Sequence, residues 1–171
     1  MPFNVNRPSP IVPMPEQTGR SKLAATLGAT AAAAALAIVG VWEGKSNDPY
    51  RDIVGVWTVC YGETRVDMRR YTNAECEDML AGAVGEFGEA VLARNPNLRD
   101  KPYALAAATS LSYNIGQSAY ARSTVARRFS AGNIRGGCDA FLMWNKAGGR
   151  EVRGLTRRRQ AERALCLKDA A

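Results

Sequence analysis

The sequence predicts an α+β fold, mostly α, in which a small β-hairpin lobe, one long helix and a helical C-terminal lobe follow in that order. Three observations predict it. Arg51 to Tyr61 is rich in Val, Trp, Thr and Tyr around Gly55, the composition of a short hairpin or meander. "TNAE" at Thr72–Glu75 fits a capping box, whose hydroxyl and carboxylate satisfy free N–H groups at a helix start. Cys76, Leu80, Val84, Phe87 and Val91 then recur at helical spacing, so one face of a long helix should be buried.

Taken from the N-terminus, residues 1–22 carry five prolines and little helical pattern, and are expected to form a disordered tail with a positive balance. Leu23 to Val41, "LAATLGATAAAAALAIVGV", has no charge. Its 19 residues would span about 28 Å as a helix, just enough for a bilayer core. Basic residues ahead of it predict the tail in the cytoplasm and residues 42–171 outside, with Trp42 at the outer interface. Alanine and glycine make it a weak anchor, because alanine inserts far less favourably than leucine or isoleucine. A cleaved signal peptide and a buried alanine-rich helix are the two competing readings; the weak anchor is preferred, and export is the firmer expectation.

Gly44 and "SNDP" should end any helix running through Glu43. Beyond the long helix, Asp100 is expected to cap "KPYALAAATSLSYNI", with Pro102 in its first turn and Gly116 as its stop. Three shorter helices are expected at about 123–130, 133–146 and 156–168, separated by Gly132, Gly148–Gly149 and Gly154.

Composition restricts the chemistry. A net charge of +7 and a pI near 9.5 favour an anionic partner: nucleic acid, anionic lipid or an acidic cell-wall polymer. The chain has no histidine, which excludes a Ser-His-Asp triad, a Cys-His protease and histidine-ligated zinc. Its four cysteines form no C-x-x-C pair, so no metal site is expected. On an exported chain they read as two disulfides. The arginine-rich run Arg150–Arg163 lacks aromatic interleaving and is read as a solvated helix face; nucleic acid is not an expected partner. Glu162 is expected to pair with an arginine one turn away, with little consequence.

One reaction suits what remains. Glycosidic hydrolysis needs no metal, cofactor or histidine: one carboxylic acid protonates the leaving oxygen while a second carboxylate manages water or charge. Glu43 ends an apolar run beside Trp42, a setting that disfavours the ionised form. Asp52, beside Arg51 at the hairpin mouth, would ionise more readily. Thr58 lies on the same face as Asp52 if the strand between them is regular, and could hold the attacking water with it.

This pattern, E-x8-D-x5-T followed by "CYGET", resembles the phage-type lysozymes, glycoside hydrolase family 24. The resemblance covers about residues 40–168 and includes "YTNAECEDML", "SYNIG" at Ser112–Gly116, "RSTVARRFSAG" at Arg122–Gly132 and "GLTRRRQAE" at Gly154–Glu162. It implies a two-lobed lysozyme-like fold, with Glu43 as general acid, Asp52 as the water-positioning carboxylate, Thr58 as its helper, and inversion at the anomeric carbon. Many members carry histidine where this chain has Glu63, which bears on ion pairing around the sheet. Tyr113 and Asn114 are candidates for lining the glycan cleft, or equally for packing.

The weak anchor is similar to that of the signal-anchor-release endolysins of lambdoid-type phages. That resemblance implies a lysozyme tethered inactive to the host inner membrane and then released to the periplasm, with peptidoglycan as its partner and a monomer once free. Residues 23–41 contain no cysteine, so refolding rather than disulfide exchange is the expected switch. If each lobe is stapled internally, the pairs are Cys60–Cys76 and Cys138–Cys166; two other connectivities stay open. A non-catalytic peptidoglycan- or protein-binding module and a lytic transglycosylase are the alternatives to a hydrolase.

Overall fold

The computed structural model describes residues 18–170. The tail expected at 1–22 lies outside the described residues as far as position 17. From Thr18 the chain differs from that expectation: Thr18 caps a helix α1 (Gly19–Leu27), its hydroxyl accepting from the Ser21 amide at 3.2 Å. Helix α2 (Ala29–Trp42) follows after Gly28, whose φ of 83° breaks the apolar run in two. The single 19-residue helix expected over Leu23–Val41 is therefore absent. No helix among the described residues is long and apolar enough to cross a membrane.

Both helices pack on the rest of the molecule. Leu23 and Leu27 of α1 are buried against α3 (Asn73–Arg94), and Ala31, Ala32, Ala35 and Val39 of α2 enter the same core beside α4 (Pro102–Ile115). The apolar side chains thus leave water against protein instead of lipid, the same driving force in a different solvent. Residues 23–41 and the domain expected from 42 share one core.

Strand β1 (Ser46–Arg51) pairs antiparallel with β2 (Trp57–Cys60), with Tyr50 opposite Thr58 and Arg51 opposite Trp57. The hairpin starts earlier than the expected Arg51. "SNDP" is strand, not merely a helix stop, because in a two-stranded sheet Pro49 can sit on an edge without costing a ladder bond. The capping box of α3 forms as read, Glu75 N donating to Thr72 Oγ1 and Thr72 N to Glu75 Oε2. Its buried face includes Cys76, Leu80, Val84 and Val91; Phe87 instead sits half-buried, its ring 5.1 Å from that of Tyr113.

The helical lobe continues with α5 (Gln117–Arg122), α6 (Thr124–Ser130), α7 (Ile134–Ala140) and α8 (Arg153–Cys166). Gly116 ends α4 as expected, but Asp100 does not cap its start. The distant Asp169 does so, accepting from the Tyr103 and Ala104 amides at 2.7 and 2.8 Å. Helix α7 stops short of the expected 146, giving way to a 3₁₀ turn (Phe141–Met143) and a small hairpin, β3 (Lys146–Ala147) and β4 (Arg150–Glu151). Gly148 and Gly149, both at positive φ, form its turn, the backbone region where glycine meets no Cβ clash. Gly154 lies inside α8 rather than before a helix.

Candidate active site

Glu43 is the C-cap of α2, its amide donating to Val39 O at 3.1 Å. The sequence suggested an apolar setting for its carboxyl; the structure replaces that with an ion pair. Arg158 Nη1 of α8 donates to Glu43 Oε1 at 2.9 Å, the two side chains being 6% and 26% exposed. Packing of α2 on the domain is what brings the two together, since they lie 115 positions apart.

Asp52 opens the hairpin turn. Its Oδ1 accepts from the Val54 and Val56 amides at 2.9 and 2.8 Å, while its main-chain oxygen accepts from Gly55 N at 2.9 Å. Gly55 takes the positive φ that this tight turn requires. Asp52 is therefore a turn residue outside both strands, and the alternation argument linking it to Thr58 does not apply. The two are linked at Val56 instead: Thr58 Oγ1 donates to Val56 O at 3.1 Å, and Asp52 accepts from Val56 N. Thr58 is nearly buried.

A groove of about 400 Å³ runs between the chain leaving β2 (Tyr61–Arg65), the α3 face bearing Leu80, Ala83 and Phe87, and Tyr113 of α4. Neither Glu43, Asp52 nor Thr58 lines it directly. Tyr113 joins the groove to Glu43: burial first, and then the charges of Glu43 and Glu63, push its hydroxyl's pKa up against the opposing Arg158 and Arg65. Asn114 has a packing contact, accepting from Arg159 Nη1 at 3.0 Å. Glu63 pairs within its own loop. Burial raises its pKa, but the Arg65 side chain and the Arg65 and Thr64 amides more than offset this and leave it lowered.

A profile of the phage lysozyme family matches residues 40–162. The chain belongs to the phage lysozyme family. This phage lysozyme is 38% identical over 164 residues to the SAR-endolysin of Enterobacteria phage P21, which covers 90% of this chain and 98% of that relative. Among solved structures it resembles a point mutant of P22 lysozyme (TM-score 0.67, 28% identity, 78% of this chain and 94% of the other). It also resembles the active form of the P1 phage endolysin Lyz (TM-score 0.71, 23% identity, 91% and 96%), a likeness of fold.

Both cysteine pairs of this phage lysozyme are joined, Cys60–Cys76 between β2 and α3 and Cys138–Cys166 between α7 and α8. No group of three or more cysteine, aspartate or glutamate side chains among the described residues could hold a metal ion. The arginine-rich run needs correction. Arg158, Arg159 and Glu162 are buried, not solvated, and Glu162 accepts from Ser110 Oγ at 2.7 Å as well as from both arginines. Burial raises the pKa of Glu162 despite the two guanidinium groups, and burial lowers that of Arg159 despite Glu162. The signal was present in the sequence as i,i+3 and i,i+4 spacing on one helix face, but a charged face gives no sign of its depth.

Proposed function

We propose that this phage lysozyme hydrolyses the β-1,4 bond between N-acetylmuramic acid and N-acetylglucosamine in peptidoglycan, with Glu43 as the general acid and Asp52 and Thr58 holding the attacking water. The observation that carries the assignment is the fixing of Glu43 by Arg158 at 2.9 Å, at a position whose charge acts on Tyr113 in the wall of the groove. An acid must stand still beside the oxygen it protonates.

Asp52 and Thr58 suit the water's needs. Among the described residues only Oδ1 of Asp52 is engaged, which leaves Oδ2 to accept from a water. The Thr58 hydroxyl spends its hydrogen on Val56 O and so accepts through its remaining lone pair. A water giving one hydrogen to each would turn a lone pair toward the sugar. Attack from the face opposite the protonated oxygen inverts the anomeric centre. The basic surface, at +7, adds attraction to an acidic polymer.

The relatives' description as SAR-endolysins, and the likeness in fold to the active P1 enzyme, support the packed arrangement as the released state. In the tethered state, residues 23–41 would lie in the inner membrane with the N-terminus in the cytoplasm, and Glu43 would be held away from Arg158. On release α2 folds onto α4 and delivers Glu43; the free enzyme works as a monomer in the periplasm.

The test is turbidity loss of purified peptidoglycan by wild type and Glu43→Gln. The chain must include α1 and α2, since residues 42–171 alone lack part of the core. A fall of at least about 1,000-fold is expected, because the acid and its binding geometry go together. Equal rates for the two would end the hydrolase reading and leave a binding module. Anhydro ends in the product mass spectrum would indicate a transglycosylase instead, and the anomer released first reports the stereochemistry.

A further inference from the structure

One guanidinium stands between Glu43 and a second, wholly buried carboxylate. Arg158 donates from Nη1 to Glu43 Oε1 at 2.9 Å and from Nε to Glu162 Oε1 at 3.3 Å. Arg159 holds the same glutamate, Nη2 donating to Oε1 at 2.8 Å and Nε contacting Oε2 at 2.7 Å. Ser110 of α4 adds its hydroxyl. The side chains of Arg159 and Glu162 are 0% exposed. Two cations and two anions thus balance, with Glu43 as the outermost member.

We propose that Glu162 is a positioning residue for Glu43, acting through Arg158. The inference rests on Glu43 being the general acid. Such an acid must carry a proton when substrate arrives, and a guanidinium belonging to it alone would favour the ionised form. Glu162, on the same guanidinium, fixes the angle at which Nη1 faces Glu43 and offsets part of its charge. Stability alone does not account for the cluster, because buried ion pairs are often no better than apolar side chains of similar volume.

The other groups around Glu43 stay constant when Glu162 changes. Tyr113 of α4 feels the charge of Glu43, and Glu63 and Arg65 of the loop after β2 act on that tyrosine from the groove. Glu162 itself faces Ser110 from α4 and Arg158 and Arg159 from its own helix, and Arg159 is held in turn by Asn114.

The experiment compares pH–rate profiles of peptidoglycan hydrolysis for wild type, E162Q and R159M/E162M, each as the full chain and each checked for folding by thermal melting. In E162Q the acid faces an uncompensated cation, so its proton is harder to keep. The alkaline limb of the profile should move down by about one pH unit. Near neutral pH kcat should fall about tenfold with KM changed less than about threefold. R159M/E162M removes one charge of each sign and keeps volume, so folding is expected. Loss of the Arg159 charge offsets part of the effect, but of the two only Glu162 bonds Arg158, so the limb should move in the same direction by less than in E162Q.

A purely structural Glu162 would scale activity down equally at every pH. An unshifted limb in either folded variant overturns the proposal, as does failure of both variants to fold. Glu43→Gln separates this from the underlying reading: if that variant is active, the general-acid assignment has failed, whereas an inactive Glu43→Gln with unshifted Glu162 variants defeats the positioning role alone.

Discussion

Gly19 of α1 lies so close to the main-chain oxygen of Asp78 in α3 that a Cβ at position 19 would overlap it. The contact is backbone on backbone, so no rotamer change can relieve it. Arg20 adds its amide to Asp78 Oδ1 at 3.2 Å and its guanidinium to Glu77. Gly19→Ala should therefore lift the start of α1 and cost about 1–3 kcal/mol, read from urea unfolding of the released enzyme. Gly85 is the control at the same interface. A Cβ there would stand 3.8 Å from Leu23 Cδ1, an ordinary contact, and alanine's helix propensity should leave Gly85→Ala unchanged or up to about 1 kcal/mol more stable.

The two disulfides close segments of 16 and 28 residues, for which loop entropy gives about 3 to 4 kcal/mol each. Their functional weight should differ. Cys60–Cys76 ties the hairpin carrying Asp52 and Thr58 to α3, whereas Cys138–Cys166 ties to α7 only the last residue of α8, beyond Arg158 and Glu162, which stay packed in the core without it. C138S/C166S should lower the unfolding midpoint while keeping kcat within about threefold at low temperature. C60S/C76S should lower both. Equal loss of activity from the two pairs would contradict this division.

The capping box predicts a pH dependence. The Glu75 side chain is partly exposed, and the Arg69 side chain, the Thr72 amide and the Thr72 hydroxyl lower its pKa to about 2 from 4.5. A carboxyl depressed on folding contributes stability that is complete above its unfolded pKa and lost as pH falls through the folded one. That contribution should disappear between about pH 4.5 and about pH 2. Urea midpoints measured across that window should fall more steeply for wild type than for Glu75→Gln.

Local rules carried much of this in the sequence, and burial depth did not. Thr72 and Glu75 could be read because a capping box needs only residues three apart. Gly116 was legible as a helix stop for a similar reason. Asp169 capping α4 from 66 residues away could not be read, because nothing local marks a remote carboxylate. Gly28 hid among alanines, so hydropathy saw one segment where the backbone makes two helices. Chemistry and spacing mark Glu43 and Asp52 as candidates, but nothing in them marks Arg158 as the partner of Glu43: in a run of arginines, composition does not say which one turns inward.

In the proposed release, the alanines of α2 would have to suit both lipid and the packed core. Ala31 and Ala35 are 1% and 0% exposed, and α2 packs against α4, itself rich in buried alanine. Small side chains let the two helices approach closely, and the same small side chains make a weak membrane segment. A31L/A35L should act against release twice. It adds bulk to a packed core, costing about 1–3 kcal/mol per site, and it makes the segment more favourable in lipid. A33L/A37L, at exposed positions of the same helix, adds equal apolarity without crowding the core. Both pairs should hold more enzyme in the membrane fraction of lysing cells, but only A31L/A35L should lower the melting temperature of the purified chain. If A33L/A37L alone abolishes lysis while its purified form melts and hydrolyses like wild type, lipid affinity sets the timing. If it lyses on schedule and A31L/A35L does not, the fit of α2 against α4 sets it.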